Sequence, residues 1–170
     1  MASPHRKGSN IEGILDVKRD KVTVSPLGLD ITWGGDSRYW RIDARYVELI
    51  QVCWLEVNGS VEMKHLEKST KYKLEFKIRM KPDAFGWNDS PVYIMAMPGK
   101  KAKCIWASVD LSRIKKSEQE SSLIPPRLEF TTPGPESFHE DDRMSFGLFE
   151  IWKGRWKGGL VIEGVIISRA

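Results

Sequence analysis

Tryptophan is the residue type in this sequence that most strongly suggests chemistry, because there are seven in 170 residues and most have polar neighbours. Two lie among aliphatic residues in apolar stretches, which predicts core packing for Trp54 and Trp106. The other five stand beside glycine, charged or amide residues in segments typical of strand ends and loops: Trp33, Trp40, Trp87, Trp152 and Trp156. We expect rings in such places to be available for stacking on a ligand.

Two segments combine such rings with polar side chains, residues 31–40 and residues 149–159. A pyranose presents an apolar C–H face that packs on an indole or phenol ring, while its hydroxyl groups need carboxylate or amide partners. The same pattern suits single-stranded nucleic acid, through base stacking and phosphate contacts, and such binding would weaken steeply with salt. A third interpretation is that Trp33 and Trp40 simply close the ends of the core.

The histidines and acidic residues form no recognisable catalytic or metal-binding motif. His5, His65 and His139 lie in unrelated contexts, and no His or Cys pair has the spacing of a metal site. The acidic run 140–142 is too short for a calcium loop. Phosphate-loop, dinucleotide and nucleophile-elbow motifs are absent, and no local pattern nominates the carboxylate pair of a glycosidase. We therefore expect a binding protein with no catalytic residues, no metal and no cofactor.

The bulk composition is that of an ordinary globular protein with a mild positive charge. Hydrophobic residues make up 41%, the formal net charge is +4, and the pI is about 9.0. No run is apolar enough to span a membrane, and the N-terminal residues lack the apolar core of a signal peptide. We expect a cytoplasmic protein without membrane insertion. Cys53 and Cys104 lie in apolar stretches, which favours buried free thiols over an intramolecular or intermolecular disulfide.

Short strands recur along the chain. The clearest covers residues 72–80, where strict alternation places five apolar side chains on one face: Tyr72, Leu74, Phe76, Ile78 and Met80. Further β-branched and aromatic stretches predict strands near 51–57, 91–97, 103–109, 144–152 and 160–167. The Asn58-Gly59 pair predicts a hairpin turn, and the polar stretch 111–127 predicts a surface loop with one helical turn.

These elements predict an all-β fold, namely a two-sheet antiparallel β-sandwich with jelly-roll topology. We favour the jelly roll because it hides most strand edges in a chain of this size. An immunoglobulin-like Greek key is the alternative, although it usually needs fewer residues. Residues 1–10 are polar and predict a flexible N-terminal tail, which leaves residues 11–170 as a single domain.

Four pieces of the sequence, taken in order, resemble the phloem protein 2 family of plant lectins, which shares its domain with the jasmonate-induced tobacco lectin. The pieces are Ile31-Thr-Trp33, Arg38-Tyr-Trp40, Val52-Cys-Trp-Leu-Glu-Val57 and Phe149-Glu-Ile-Trp-Lys-Gly-Arg-Trp-Lys-Gly-Gly-Leu160. The likeness extends from about Ile14 to Arg169, with details most like those of the cucurbit phloem lectins. It implies a jelly-roll lectin for N-acetylglucosamine oligomers, including chitin fragments and the N-glycan cores of glycoproteins, in phloem transport or defence.

The resemblance also implies a carbohydrate-binding site. The two tryptophans of the first pieces correspond to Trp33 and Trp40, and the family's glutamate before the last loop corresponds to Glu150. In this hypothesis the rings are apolar platforms and the carboxylate accepts hydrogen bonds from hydroxyl or acetamide groups. The rim of the site would be shaped by Trp152, Lys153 and Trp156.

One position departs from the tobacco-type site, whose second acidic residue lies seven positions before the glutamate. Here that position is Arg143, with Asp142 beside it, which bears on how the second polar contact is made and which sugar is preferred. The resemblance further implies synthesis without a signal peptide, a cytoplasmic location in companion cells, sieve elements and phloem sap, and a homodimer. Some cucurbit members form disulfide-linked phloem filaments or bind RNA, so a phloem filament protein and RNA are alternative partners.

Overall fold

The computed structural model describes residues 3–9, 14–18 and 20–170, which form two antiparallel sheets around one core. The eight-stranded sheet contains β1 (Ile14–Lys18), β2 (Lys21–Val24), β4 (Trp40–Ile42), β5 (Val47–Leu49), β7 (Lys71–Phe85), β10 (Ser122–Ile124), β11 (Glu129–Thr131) and β13 (Gly158–Arg169). The five-stranded sheet contains β3 (Asp30–Ile31), β6 (Leu55–Glu62), β8 (Val92–Pro98), β9 (Ile105–Val109) and β12 (Arg143–Glu150). Single 3-10 turns cover Pro26–Gly28, Met63–His65 and Leu111–Arg113. None of the helices in these described ranges could cross a membrane.

The strand order defines the topology. Eight strands carry the fold in chain order: β2, β6, β7, β8, β9, β11, β12 and β13. The first, eighth, third and sixth of them lie side by side in one sheet, and the second, seventh, fourth and fifth in the other. This is the order of a jelly roll built from two Greek keys. With 49% strand and 6% helix, the structure confirms the predicted all-β sandwich.

The core lies between the sheets and follows the predicted alternation. All five apolar side chains of residues 72–80 are at most 1% exposed, so the face predicted for β7 is confirmed. From the facing sheet, Phe146 of β12 meets Phe76 edge-on, with ring centroids 5.9 Å apart. Each such side chain stabilises the fold by about 1.5–3 kcal/mol relative to leaving it in water.

The predicted hairpin at Asn58-Gly59 is wrong, because both residues lie in the middle of β6. Asn58 pairs with Gly147 and Gly59 with Phe146 on β12. A Cβ atom on Gly59 would lie 2.5 Å from Cζ of Phe146. The glycine therefore makes room for a core ring and does not form a turn.

Four tryptophans lie opposite to their predicted environments, namely Trp40, Trp54, Trp87 and Trp106. Trp54 and Trp106, expected in the core, are 43% and 51% exposed. Trp106 lies on the edge strand β9 opposite Met95, on the outward face of the sheet. Trp87, expected in a polar loop, is buried, and its Nε1 donates to the carbonyl of Gly158 at 2.9 Å. Neighbouring residue types indicated that these positions are strands or loops, but not which side faces inward.

The cysteines and the stretch 111–127 also differ in part from the prediction. Cys53 and Cys104 are free thiols, but Cys104 is exposed and Cys53 is half-buried. The stretch 111–127 contains the predicted helical turn, and also the short strand β10, which pairs with β7. The strands predicted from 51 and 103 begin later, at Leu55 and Ile105.

The polar N-terminal segment, predicted as a flexible tail, is hydrogen-bonded to β3 in its described residues 3–9. Arg6 and Ile31 exchange two backbone hydrogen bonds of 2.8 Å, and the N–H of Gly35 donates to the carbonyl of Pro4 at 2.7 Å. β3 is an edge strand, so its outer backbone groups need partners, and the segment supplies them. This contact brings His5 close to Trp33.

Candidate functional site

Chain segments distant in sequence converge at one end of the sandwich. The carbonyl of Tyr39 accepts from the N–H of Ile50 at 2.8 Å, which joins the loop after β3 to the end of β5. Val52 and Lys157 exchange two backbone hydrogen bonds of 3.0 Å, which joins residues before β6 to the loop before β13. The two segments selected from the sequence, 31–40 and 149–159, thus meet around residues 50–52.

A row of aromatic rings crosses this end, and we name His5, Trp33, Tyr39 and Trp156 the end cluster. Trp33 packs edge-on against His5 at 5.3 Å and against Tyr39 at 5.9 Å between ring centroids. Tyr39 in turn stacks on Trp156, with centroids 6.3 Å apart and planes inclined by 26°. Trp33 is 38% exposed and Trp156 is 50% exposed. The row therefore presents large apolar surfaces to solvent in fixed relative orientations.

Trp33 is held in a backbone conformation that residues other than glycine seldom adopt. Its φ is 66°, in the left-handed region, which costs on the order of 1–3 kcal/mol for a bulky residue. The N–H of Trp33 donates to Nδ1 of His5 at 3.0 Å, and its carbonyl accepts from the N–H of Asp36 at 3.1 Å. These contacts hold the strained turn, and such strain concentrates at ligand sites.

An acidic and a basic side chain adjoin the row. The guanidinium of Arg38 forms a forked pair with Asp36, with Nη2 to Oδ2 at 2.7 Å and Nε to Oδ1 at 3.1 Å. The guanidinium also lies over the ring of Tyr39, 5.1 Å from its centroid. The hydrogen bond from Arg38 holds the pKa of Asp36 below its ordinary value, and the same contact raises the pKa of Arg38. This end of the molecule thus carries a charged, directional pair beside the rings.

A buried ion pair anchors the loop that carries Trp156. Glu150 and Lys157, the residues at the two ends of this loop, are 1% and 0% exposed, and Nζ of Lys157 lies 3.2 Å from Oε1 of Glu150. The ammonium group also donates to the carbonyls of Cys53 and Arg155, at 3.1 and 2.9 Å. On the other carboxylate oxygen, Glu150 accepts from the N–H of Trp152 at 3.1 Å. The pair therefore ties both ends of loop 151–157 to the body.

Close backbone packing completes the support of this loop. Gly86, directly after β7, has a φ of +85°, and a Cβ atom there would lie 2.1 Å from the carbonyl oxygen of Trp156. Only glycine allows both the backbone angle and the approach.

Within the described residues, no group of three His, Cys, Asp or Glu side chains is placed to hold a metal ion.

The family model for phloem protein 2 matches residues 19–169, most of the chain. The chain belongs to the phloem protein 2 family. It is 36% identical to Protein PHLOEM PROTEIN 2-LIKE A9 of Arabidopsis thaliana, over 98% of this chain and 96% of that protein. It is 28% identical to PHLOEM PROTEIN 2-LIKE A1 of the same plant, covering 82% of this chain and 57% of the relative. A lectin of Luffa acutangula is 27% identical over 54% of this chain and 53% of its own.

The resemblance proposed from four short pieces is thereby confirmed. Two solved structures with limited similarity to the chain are the xylan-binding module CBM15 and a family 11 carbohydrate-binding module from Clostridium thermocellum. Both are 13% identical, with TM-scores of 0.38 and 0.39, and cover 98% and 93% of this chain and 89% and 95% of theirs. Similarity at this level adds nothing to the strand order described above, which by itself defines the fold.

Trp40 does not provide the ring platform expected for this phloem protein 2 domain. It is 2% exposed, so neither ring face is available to a sugar, and it packs in β4 opposite Leu49 of β5. The alternative interpretation, core packing, holds for this residue. Its Nε1 finds no hydrogen-bond partner among the described residues. Trp40 also borders an open cleft of about 460 Å³, with Gly34, Gly35 and Ser37 on its other sides.

Glu150 and the rim residues take different positions from those expected. Glu150 is buried under the loop and paired with Lys157, so it organises the loop from below. Trp152 is 58% exposed, but its ring packs edge-on against Tyr93 at 4.9 Å, on the side of the five-stranded sheet. Lys153 is exposed, and its N–H lies 3.3 Å from the Glu150 carboxylate. Of the predicted residues, the structure joins Trp33 and Trp156, through Tyr39.

Arg143 lies far from this end of the domain. It begins β12 whereas Glu150 ends it, so seven residues of extended chain separate them by about 24 Å. Its Nε donates to Oγ of Ser60 at 2.7 Å, and its Nη1 lies 3.9 Å from Glu62. The departure from the tobacco-type pattern therefore falls outside the end cluster.

Three contributors to this end were missed in the sequence. The sequence predicts a flexible tail around His5, and its pattern gives Tyr39 no role separate from the segment that contains it. The sequence pattern does not single out Lys157, because lysine is almost never fully buried without a partner and its partner Glu150 lies seven residues away. The repeated Lys-Gly pairs in 149–159 were the one available signal of an unusual loop.

Proposed function

We propose that the protein is a lectin that binds N-acetylglucosamine oligomers at the end cluster and leaves them chemically unchanged. The observation that carries the proposal is the contact of Tyr39 with Trp156, because it unites two aromatic segments that lie more than a hundred residues apart. A continuous row of half-exposed rings with a charged pair beside it suits a sugar chain, which has both apolar faces and hydroxyl groups.

The roles of the side chains follow from their exposure. Trp33 and Trp156 supply the stacking surfaces, and the carboxylate of Asp36, held by Arg38, accepts hydrogen bonds from hydroxyl or acetamide N–H groups. Lys153 is an exposed donor on the same loop. Glu150 acts indirectly, by fixing the loop that carries Trp156.

Binding without catalysis is supported by the state of the acidic residues. Glycoside hydrolysis needs a carboxylic acid and a second carboxylate on either side of the scissile bond. In segments 31–40 and 149–159 the acidic residues are Asp36 and Glu150; the first is paired with Arg38 and the second is buried against Lys157. Both carboxylates are therefore held in ion pairs, and neither is a free carboxylic acid poised to protonate a leaving group.

The relatives support a carbohydrate ligand and a place of action. One relative is named a lectin and others are named phloem proteins, which supports a role in phloem cells for this chain as well. Immunolocalisation in stem sections with an antibody against the protein tests this. We expect signal in companion cells and sieve elements, and a uniform signal across all cell types would contradict the proposal.

The proposed site is tested by calorimetric titration with chitotriose. Replacing Trp33 or Trp156 by Ala should weaken binding by about 1–3 kcal/mol, the scale for losing a desolvated ring contact with its neighbouring hydrogen bonds. Leu123→Ala is the matched control, since Leu123 is 47% exposed, which is similar to the two tryptophans, and lies on β10 of the eight-stranded sheet. Cellotriose, which lacks the acetamido groups, should bind more weakly if those groups are recognised. Unchanged affinity in both tryptophan variants would remove the end cluster from the site.

RNA is the second candidate ligand, favoured by the exposed Lys153 and Arg155 between the exposed rings of Trp152 and Trp156. Binding to phosphates releases counterions, so affinity for RNA should fall steeply as salt rises, whereas affinity for a neutral sugar should not. Titration of the same protein with oligouridine and with chitotriose at two salt concentrations separates the two ligands. Strong oligouridine binding without chitotriose binding would favour RNA.

A further inference from the structure

The outward face of the five-stranded sheet carries aromatic residues that the end cluster does not use. Side chains alternate between core and solvent along β6, β8 and β12, so every second residue faces outward. At the end of the face nearest loop 151–157, these positions and their neighbours are aromatic. We name five of them the sheet-face cluster: Trp54, Tyr93, Trp106, Phe149 and Trp152.

The rings of the sheet-face cluster are exposed to an unusual extent. Trp54 is 43% exposed, Tyr93 37%, Trp106 51% and Trp152 58%. Large aromatic side chains gain most from burial, so several exposed together on one sheet face mark a surface that is covered by a ligand or partner. Single exposed rings would carry no such meaning.

Each exposed ring is braced in a defined orientation. Trp152 packs edge-on against Tyr93, with centroids 4.9 Å apart and planes at 78°. Trp106 leans on Phe149, with centroids 5.8 Å apart. Nε1 of Trp54 donates to Oε1 of Glu56 at 2.9 Å, which holds the indole against β6. Braced rings lose little side-chain entropy on binding, which favours affinity.

The floor of this surface is flat because β12 has a glycine there. A Cβ atom on Gly147 would lie 2.4 Å from Cζ and 2.6 Å from Cε2 of Phe149. The phenyl ring therefore lies over Gly147 and along the sheet. A ring lying flat on a sheet presents its face outward, which is the surface that the apolar face of a pyranose needs.

The strand register gives the surface a length. Glu56 on β6, Phe149 on β12 and Tyr93 on β8 lie opposite one another, and Asn58, Gly147, Met95 and Trp106 form the next row. Four strands span about 14 Å at the usual inter-strand distance. The surface is longer than one sugar ring and suits an extended chain.

Charge and hydrogen bonding indicate the chemistry of the occupant. Among the outward-facing side chains of these four strands, the charged one at the aromatic end is Glu56, while Glu62 and Arg143 pair with each other at the far end. The carboxylate of Glu56 accepts from Trp54 and from Nδ2 of Asn58 and keeps further acceptor capacity. A carboxylate repels phosphates and accepts from hydroxyl groups, so Glu56 favours a neutral, hydroxyl-rich partner over a nucleic acid.

From these observations we propose that the sheet-face cluster is a second carbohydrate-binding surface, which takes an extended, neutral oligosaccharide. It is separate from the end cluster, and its occupation does not depend on the proposed function being correct. Loop 151–157 adjoins both surfaces, since Trp156 packs on Tyr39 and Trp152 packs on Tyr93.

The test uses the indole N–H signals of the full chain labelled with ¹⁵N-tryptophan and assigned by single Trp→Phe substitutions. On titration with cellohexaose or chitohexaose, the signals of Trp54 and Trp106 should shift in a saturable way. They should do so equally in a Trp33→Ala, Trp156→Ala double variant, which lacks the end cluster. Tyr93→Ala should raise the dissociation constant about fivefold or more, the ratio for losing about 1 kcal/mol of ring contact. Leu123→Ala should leave it unchanged.

Other outcomes overturn the proposal, and each is distinct from failure of the end cluster, which the signals of Trp33 and Trp156 report. If the Trp54 and Trp106 signals do not shift at saturating oligosaccharide, the sheet-face cluster does not bind it. Shifts that appear only when protein concentration is raised would assign it to a second copy of the chain. Shifts with oligouridine alone that salt abolishes would assign it to RNA. The buried Trp40 and Trp87 confirm in every sample that the variant is folded.

Discussion

The two aromatic surfaces of this domain are built in different ways. The end cluster draws its rings from three separate segments, residues 3–9, the turn after β3 and loop 151–157, and these rings rest mainly on one another. The sheet-face cluster draws Tyr93, Trp106 and Phe149 from hydrogen-bonded strands, where register places them. Surfaces built on loops depend on anchors elsewhere, and surfaces built on strands depend on their immediate floor.

This difference locates the sensitive residues of each surface. The end cluster depends on Lys157, which is buried and paired with Glu150 beneath the loop that carries Trp156. The sheet-face cluster depends on Gly147, whose missing side chain lets Phe149 lie flat. Both surfaces share loop 151–157, so a substitution that disrupts the Lys157 ion pair should affect both of them. A substitution at Gly147 should affect only the sheet-face cluster.

Replacing Lys157 by Met should have the largest effect. It leaves Glu150 buried without its cation, and breaking a buried pair in this way lowers the free energy of unfolding by about 3–5 kcal/mol. Urea unfolding followed by circular dichroism measures the loss. In the folded fraction, chitotriose binding should weaken more than cellohexaose binding, because Trp156 is adjacent to the anchor.

The double variant Glu150→Gln, Lys157→Met provides the control. It removes both charges while the amide oxygen still accepts from the N–H of Trp152. It should be more stable than the single variant. If the single variant loses less than about 1 kcal/mol, the pair is not the anchor of the loop.

Gly147→Ala should have an intermediate effect that is confined to the sheet face. The new Cβ would overlap the ring of Phe149, and relieving such overpacking costs about 1–3 kcal/mol. The tilted ring should shift the indole signal of Trp106 and weaken cellohexaose binding, while chitotriose binding at the end cluster stays constant. Gly134→Ala is the control, since its Cβ would meet only Oγ of Ser69 at 3.6 Å. Equal losses for both oligosaccharides would show that the two surfaces are not independent.

The smallest effect concerns the acidity of Asp36. Its pKa is lowered by the hydrogen bond from Arg38, so the charged form is favoured in the folded protein. A carboxylate with a lowered pKa contributes fully to the free energy of unfolding above its unfolded pKa of about 3.9. This contribution is lost only as the pH falls through the lower pKa of the folded state. The difference in chitotriose affinity between wild type and Asp36→Asn should therefore stay constant from about pH 7 to about pH 4.5. A difference that vanishes within this interval would contradict the assignment.

Much of the fold could be predicted because strand periodicity is a local property. The alternation in residues 72–80 predicted the buried face of β7 correctly, and the recurrence of short strands predicted the jelly roll. Four short pieces predicted the family, which the family model confirms. The same pieces predicted that Trp33 and Trp156 belong to neighbouring segments, and the structure brings them together through Tyr39.

What the sequence by itself determined is therefore the class of fold, the family and the two segments rich in aromatic rings and polar side chains. Only the tertiary structure decided which rings are exposed, because period 2 marks two faces of a strand without naming the inner one, and pairing across the sheet chooses between them. That choice buries Trp40 against β5 and exposes Trp54 and Trp106. The burial of Lys157 was also decided there, since a lysine enters a core only where a carboxylate and carbonyl groups from distant residues meet it.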